Sequence, residues 1–191
     1  MVRDPRMVEQ AEELRHESRM YEFLRRSAAG AQAVPEYFGF SDHCGVPLLC
    51  VAAEGDDFED IGLDNIPHSL KRSAVAALKR ISDCGVLHGD VALRNIVRSA
   101  QNPNHAKFID FGRARMTDNA TLLAAQVANL IAILGVSAGT VHNGLQDENT
   151  SRSGRRDAPY KHAAAWNAQA GAKVPMQTTR QPLSNVDANV S

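Results

Sequence analysis

The chain has 191 residues, which is enough for one domain of ordinary size and a tail. Its 21 basic residues nearly balance its 22 acidic residues, so no overall field favours nucleic acid or a membrane surface as a partner. The three cysteines (Cys44, Cys50 and Cys84) are odd in number and lack metal-ligand spacing, and no apolar secretory segment opens the chain. A reducing compartment, cytoplasmic or nuclear, is expected.

Residues 5–26 have the apolar spacing of a helix with one inward face. That face carries Val8, Ala11, Leu14, Ser18, Tyr21 and Leu24. Glu17 lies on the same stripe. From the helix alone, the simplest interpretation of Glu17 is a carboxylate at the helix edge that reaches water and pairs with an arginine one turn away.

Two short strands are predicted at residues 37–40 and 47–52, joined by a polar turn at residues 41–43. Gly55 and the acidic residues 56–60 interrupt the pattern and predict a solvated linker. A helix follows over residues 67–83, with Pro67 in its first turn, a buried face and Gly85 as its stop.

Residues 96–97 and 107–109 are further strand candidates, separated by a turn-rich segment. A strongly apolar helix is predicted over residues 119–135. It is shorter than the ~20 residues a bilayer needs, and it carries Gln126 and Asn129, so a buried core helix is expected instead of a membrane span. Residues 142–191 contain few large aliphatic side chains and are expected to be disordered, with at most a short helix near 163–168.

The most informative segments read HGDVALRNIV at residues 88–97 and FIDFG at residues 108–112. Phosphoryl transfer needs a base for the acceptor hydroxyl and ligands for magnesium, and little covalent chemistry from the protein. Asp90 can orient and deprotonate a hydroxyl, while Asn95 and Asp110 can hold metal against nucleotide phosphates. Both aspartates could instead be turn residues, but that interpretation leaves Asn95 and the flanking strands as coincidence.

The order H-x-D-x-x-x-x-N followed by D-F-G resembles the protein kinase-like superfamily, most specifically over residues 84–115. The resemblance implies an α+β fold, mostly a helical large lobe with a remnant small lobe. It implies ATP and magnesium, with Asp90 as base and Asn95 and Asp110 as metal ligands. His88 would be structural.

The resemblance also assigns roles outside the two motifs. Glu17 matches the glutamate of the small-lobe helix and would anchor the nucleotide site. The backbone of Val51, Ala52 and Ala53 would face adenine. Residues 1–16 contain no lysine to pair with Glu17 and no glycine-rich loop, so the small lobe is expected to be truncated.

Three departures from the sequences of ordinary protein kinases indicate which members of the superfamily the chain resembles more. Gly89 stands where those kinases usually carry arginine, Ala92 replaces a common lysine, and no Ala-Pro-Glu follows the second motif. The pattern is more similar to aminoglycoside and choline phosphotransferases and to short fungal kinase-like proteins. Arg94 can supply positive charge to the transferring phosphate, or it can pair with a nearby carboxylate, and both interpretations stay open.

These observations predict a remnant small lobe at residues 1–54, a large lobe at 55–141 and a disordered tail at 142–191. The expected function is transfer of phosphate from ATP, with magnesium, to a hydroxyl of a protein or a small molecule, weakly or not at all by this chain. The alternative is a pseudokinase that binds nucleotide or a partner without catalysis.

Overall fold

A computed structural model describes residues 5–43 and 46–137, with the side chains of residues 5–7 and 43 left aside. The described helices and strands are α1 (Pro5–Leu24), α2 (Ala28–Ala33), β1 (Tyr37–His43), β2 (Val46–Val51), α3 (Phe58–Ile61), α4 (His68–Asp83), β3 (Val86–Leu87), β4 (Ile96–Arg98), β5 (Ala106–Phe108), β6 (Arg115–Met116) and α5 (Ala120–Leu134). Strands pair antiparallel as β1–β2, β3–β6 and β4–β5. The fold class is α+β, as predicted. The tail 142–191 lies outside the described residues.

Helix α1 packs on the β1–β2 hairpin through most of its predicted inward face. Ser18, Tyr21 and Leu24 are buried, and the hydroxyls of Ser18 and Tyr37 are 2.7 Å apart. Val8 is 45% exposed, so the inward prediction is wrong at this position. The helix therefore contacts the rest of the protein from Ala11 onward, and this part of the helix includes Glu17.

Strand β1 is longer than predicted. Ser41 and Asp42, expected in a turn, pair with Leu48 and Pro47 of β2. The polar end of the strand is supported from α1, because the Arg15 guanidinium lies 3.4 Å from the Asp42 carboxylate. The predicted turn at residues 41–43 is wrong because this contact between elements stabilises an extended conformation that the local sequence does not favour.

The segment after β2 is not the solvated linker that its acidic residues predict. Its Gly55 N–H donates to the Arg98 carbonyl at 2.8 Å, which ties the segment to β4. Asp57 caps helix α3 by accepting from the Asp60 N–H at 2.8 Å. Phe58 is fully buried. The acidic side chains face outward around one aromatic anchor, and that anchor makes the segment part of the core.

Helix α4 buries one face in the core, as predicted. Its buried face consists of Leu70, Ala74, Val75, Ala77, Leu78 and Ile81. The helix is followed by Gly85 at a φ of 77°, a conformation in which glycine carries no steric cost. The chain then turns directly into β3, which leads to the first of the two motifs.

Helix α5 was predicted to be buried in the core, but only one of its faces is buried. Leu123, Leu130 and Leu134 are buried, while Leu122 is 40% exposed. The buried Gln126 joins α5 to its neighbours: its amide nitrogen donates to the Ser82 hydroxyl at 2.8 Å and to the Val86 carbonyl at 3.0 Å. Among the described residues, no helix has the length and apolar character needed to cross a membrane.

The short strands bring the two motifs together. Strands β4 and β5 were predicted, whereas the β3–β6 pair was not. The loop 88–95 runs from β3 to β4, and the loop 109–114 runs from β5 to β6. Because β3 pairs with β6 and β4 pairs with β5, both loops leave the same two ladders and face each other.

Candidate active site

The loop 88–95 is closed by Asn95. This residue is 4% exposed and ends a short 3-10 turn, and its amide nitrogen donates to the Asp90 carbonyl at 2.9 Å. The Ile109 N–H donates to the Asn95 carbonyl at 3.0 Å, which ties the second loop to the same residue. Because the amide nitrogen is engaged with the protein, the side-chain oxygen is the atom of Asn95 that can meet a cation. Asp110 directly follows the residue that is bonded to Asn95.

Asp90 lies between two arginines. Its Oδ2 accepts from Arg94 at 2.9 Å, and the Arg113 guanidinium lies 3.9 Å from the same oxygen. The side chain of Asp90 is 20% exposed, and no hydrogen bond to its Oδ1 is formed within the described residues. Oδ1 is therefore the oxygen available to a hydroxyl acceptor. The proximity of Arg113 was not predicted from the sequence.

Asp110 adopts a backbone conformation that aspartate tolerates but rarely uses. Its φ is 62°, and it is the one non-glycine residue with positive φ in the described chain. Such conformations cost of order 1–3 kcal/mol and persist where the surroundings impose them. The buried Phe111 on one side and the hydrogen bond at Ile109 on the other impose it here. The result is a carboxylate on an exposed residue held between fixed neighbours.

Glu17 reaches the second loop, not a solvent arginine. Its Oε1 accepts from the Phe111 N–H at 3.2 Å. Burial raises the pKa of Glu17, the hydrogen bond from Phe111 opposes that shift, and the nearby charge of Asp110 raises it further. The carboxylates of Glu17 and Asp110 are thus neighbours. The hydrogen bond between Phe111 and Glu17, which ties the second loop to α1, joins residues 94 positions apart in sequence.

A stack of aromatic rings runs beneath the two loops. Tyr37 stacks on Tyr21 with ring centres 5.8 Å apart, and Tyr21 meets Phe111 edge-on at 5.1 Å. Phe111 in turn contacts the His88 ring at 4.7 Å. Each such contact adds roughly 0.5–1.5 kcal/mol beyond area burial. The stack fixes the helix that carries Glu17 against both loops; the sequence signal for it was an aromatic residue four positions after Glu17 and another directly after Asp110.

His88 serves the scaffold, as predicted. It is fully buried, and its Nε2 hydrogen-bonds the Ile109 carbonyl at 3.0 Å. Its backbone N–H donates to Gln126 at 3.0 Å. Burial lowers the pKa of His88, so the ring is neutral and donates from Nε2. Nδ1 has no partner among the described atoms. The ring thus joins the two loops without facing solvent.

A cavity of about 450 Å³ opens beside Asp110. Its charged lining consists of Glu13, Glu17 and Asp110, and its apolar lining consists of Leu14, Val46 and Pro47. The volume falls in the range of small-ligand sites. Of the described residues that line it, none is a lysine or an arginine. The cavity therefore suits a ligand that brings its own cation.

The predicted adenine-facing residues lie at the end of β2. Val51 and Ala52 are half-buried and Ala53 is exposed. The Ala52 N–H already donates to the Glu36 carbonyl at 2.7 Å. The groups of this segment that could meet a base are therefore the carbonyls and the Ala53 N–H. None of the three residues lines the cavity beside Asp110.

The donor set at the two loops can be compared with the needs of magnesium. Mg²⁺ is usually held by one or two carboxylates, with phosphate oxygens and waters completing an octahedron. Asp110 offers a carboxylate, and Asn95 offers the amide oxygen left over from its hydrogen bond to Asp90. Three or more His, Cys, Asp or Glu side chains grouped to hold a metal are not found in the described part of the chain. Asn95 and Asp110 therefore offer the kinds of oxygen ligand that Mg²⁺ binds together with phosphate.

Comparison with known proteins adds no relative. A scan against family models and a search of curated proteins both return no match for this chain. The assignment of a function therefore depends on the geometry of Asp90, Asn95, Asp110 and Glu17.

Proposed function

We propose that the protein is a phosphotransferase with a kinase-like fold, which moves the terminal phosphate of ATP to a hydroxyl acceptor with the help of magnesium. The observation that carries the proposal is the pair of hydrogen bonds made by Asn95, one to the Asp90 carbonyl and one from Ile109. Together they hold a potential base and two potential metal ligands on facing loops. The buried aromatic stack supports the proposal because it would keep these groups positioned without a ligand.

Each residue has a defined task in this reaction. Asp90 Oδ1 would accept the proton of the acceptor hydroxyl as the new oxygen–phosphorus bond forms. The bond from the terminal phosphorus to the bridging oxygen breaks, and the nucleoside diphosphate leaves with the electron pair. Arg94, which is 55% exposed beside Asp90, would face the charge that builds on the transferring phosphate.

Asn95 and Asp110 would hold magnesium, and Glu17 would orient the loop that carries Asp110. Bound magnesium would neutralise charge on the phosphate oxygens. The cavity lining supplies carboxylates and no cation among the described residues, so the phosphates depend on the metal for positive charge. We therefore expect slow turnover by this chain.

Replacement of the proposed base tests the function. Asp90→Asn should lower ATP-dependent phosphorylation about 10²–10⁴-fold, because a positioned base contributes that much. Asp56→Asn is the matched control, since Asp56 forms an exposed pair with Arg98 at the same distance of 2.9 Å. Formation of ADP and of phosphorylated product would be followed with peptides, sugars and amino alcohols as acceptors. Equal rates for both variants would rule out Asp90 as the base.

A non-catalytic binding module is the second candidate function. It is favoured by the Arg94–Asp90 ion pair at 2.9 Å, which occupies Oδ2 of the proposed base. In that case nucleotide would bind with magnesium, and no acceptor would be phosphorylated. The same assay separates the candidates, because a binding module would show no product above the level of the Asp90→Asn variant.

A further inference from the structure

The two arginines beside Asp90 give this part of the site a charge opposite to that of the cavity. Asp90 contributes one negative charge, and Arg94 and Arg113 contribute one positive charge each, a net charge of plus one. The cavity lining instead carries the three carboxylates of Glu13, Glu17 and Asp110. Neither Asp90 nor either arginine lines the cavity. The site therefore has an acidic compartment and, next to it, a basic rim.

The position of Arg113 depends on Gly89. Gly89 has a φ of 82°, and a Cβ atom there would collide with the Arg113 carbonyl oxygen and come within 3.3 Å of the Arg113 Cβ. The absence of a side chain at residue 89 thus lets the second loop lie directly on the first. Because Gly89 precedes Asp90, this contact places the Arg113 guanidinium at the proposed base.

Most of the binding capacity of Arg113 is unused. Its side chain is 77% exposed, and its contact with Asp90, at 3.9 Å, is longer than a hydrogen bond. Arginine presents several N–H donors in a planar arrangement that matches carboxylate and phosphate oxygens. An anion could therefore bind Arg113 without displacing a protein partner at hydrogen-bond distance.

We propose that Arg113 binds an anionic group of the acceptor, so that the acceptor is a hydroxyl compound carrying a phosphate or a carboxylate. This inference rests on the proposed phosphotransferase function. The anion would sit on the basic rim, with the hydroxyl at Asp90 Oδ1. The proton passes to Asp90, the hydroxyl oxygen bonds to the terminal phosphorus of ATP, and ADP leaves with the electrons of the broken bond. Arg113 takes no proton and acts by binding the acceptor.

Direct titration of a simple anionic alcohol tests the site without any phosphoryl transfer. Glycerol 3-phosphate is titrated into the whole chain by calorimetry in the absence of nucleotide. Arg113→Gln should weaken its binding about tenfold, which corresponds to roughly 1.4 kcal/mol, because it removes charge-assisted hydrogen bonds to the anion. Arg113→Lys should keep part of the affinity. Lys79→Gln is the control, because Lys79 forms an exposed i,i+4 ion pair with Asp83 at 2.8 Å.

Further titrations identify which anion binds, and a kinetic measurement separates a binding defect from a folding defect. Glycerate replaces the phosphate by a carboxylate, and glycerol removes the charge; tighter binding of either anion than of glycerol supports the proposal. With MgATP present, Arg113→Gln should raise KM for the better anion and leave kcat within about threefold, whereas a structural defect would lower kcat as well. Equal affinity of wild type and Arg113→Gln for both anions, or equal binding of glycerol, would overturn the proposal. Those titrations contain no nucleotide, so their outcome is independent of the MgATP binding and Asp90→Asn assays that decide the proposed function.

Discussion

On one side of the candidate site the loops 88–95 and 109–114 are held by buried side chains, and on the other side the cavity wall stays in contact with solvent. His88 and Phe111 are fully buried and Asn95 is 4% exposed, whereas Val46 of the cavity wall is 49% exposed. The two sides also differ in charge. Asp90 has two arginines beside it, whereas the described charged residues of the cavity lining are all carboxylates. The groups proposed for chemistry are thus preorganised before any ligand binds, while the compartment proposed for nucleotide needs the cation that comes with it.

The largest expected effect is on stability and separates the buried side from the exposed one. Phe111→Ala should lower the free energy of unfolding by about 3–5 kcal/mol, because it removes a fully buried ring from the aromatic stack. Phe38→Ala removes the same ring from a position that is 64% exposed and should change stability by less than about 0.5 kcal/mol. Urea unfolding measures both. Similar losses of unfolding free energy in the two variants would contradict the difference in burial between the two positions.

A smaller effect depends on pH and on His88. Its pKa is lowered from 6.5 by burial, so the unfolded chain takes up a proton before the folded one does. The stabilisation is complete above pH 6.5 and is lost as the pH falls from 6.5 towards the lowered pKa, by up to about 1.4 kcal/mol per pH unit. Unfolding measured at several pH values between 5 and 8 should show this slope, and His88→Gln should flatten it. An unchanged slope in His88→Gln, with exposed His68→Gln as control, would contradict the account.

The smallest effect concerns Glu17, whose contribution to stability changes with pH in the direction opposite to that of His88. Its pKa is raised above 4.5, so its contribution to stability is present below pH 4.5 and is lost as the pH rises through the raised pKa. Glu17→Gln keeps an oxygen for the Phe111 N–H and removes the buried charge. We expect it to stabilise the protein at neutral pH by less than about 1 kcal/mol, with the gain vanishing below pH 4.5. Destabilisation at neutral pH would mean that the charge of Glu17 is compensated by a cation.

Elements whose residues follow a regular local pattern, such as α4, could be predicted from the sequence. The apolar spacing of α4 predicted its buried face, because a helix buries one regular face. The second loop could be placed opposite the first because the motif order was intact. The unusual φ of Asp110 was not predictable, since it follows from neighbours that pack from other parts of the chain.

The errors lie where distant contacts override the local sequence. Phe58 sits among four acidic residues, and its burial follows from the pairing of its neighbours with β4. The ion pair between Glu54 and Lys107, at 2.7 Å with little exposure on either side chain, joins residues 53 positions apart. Strand β6 has only two residues, so it carries no periodicity. Arg113 lies 3.9 Å from Asp90 in a close contact between the two loops, which the absence of a side chain at Gly89 permits.

Magnesium-dependent binding of ATP through Asp110 tests the central claim most directly. Calorimetric titration of ATP into the whole chain would be carried out with magnesium and with a chelator, for wild type and for Asp110→Asn. The account predicts binding by wild type that needs magnesium, and a loss of at least about tenfold in affinity in the variant, because Asp110 is the carboxylate offered to the shared cation. Equal affinity with and without magnesium, or in the two proteins, would contradict it.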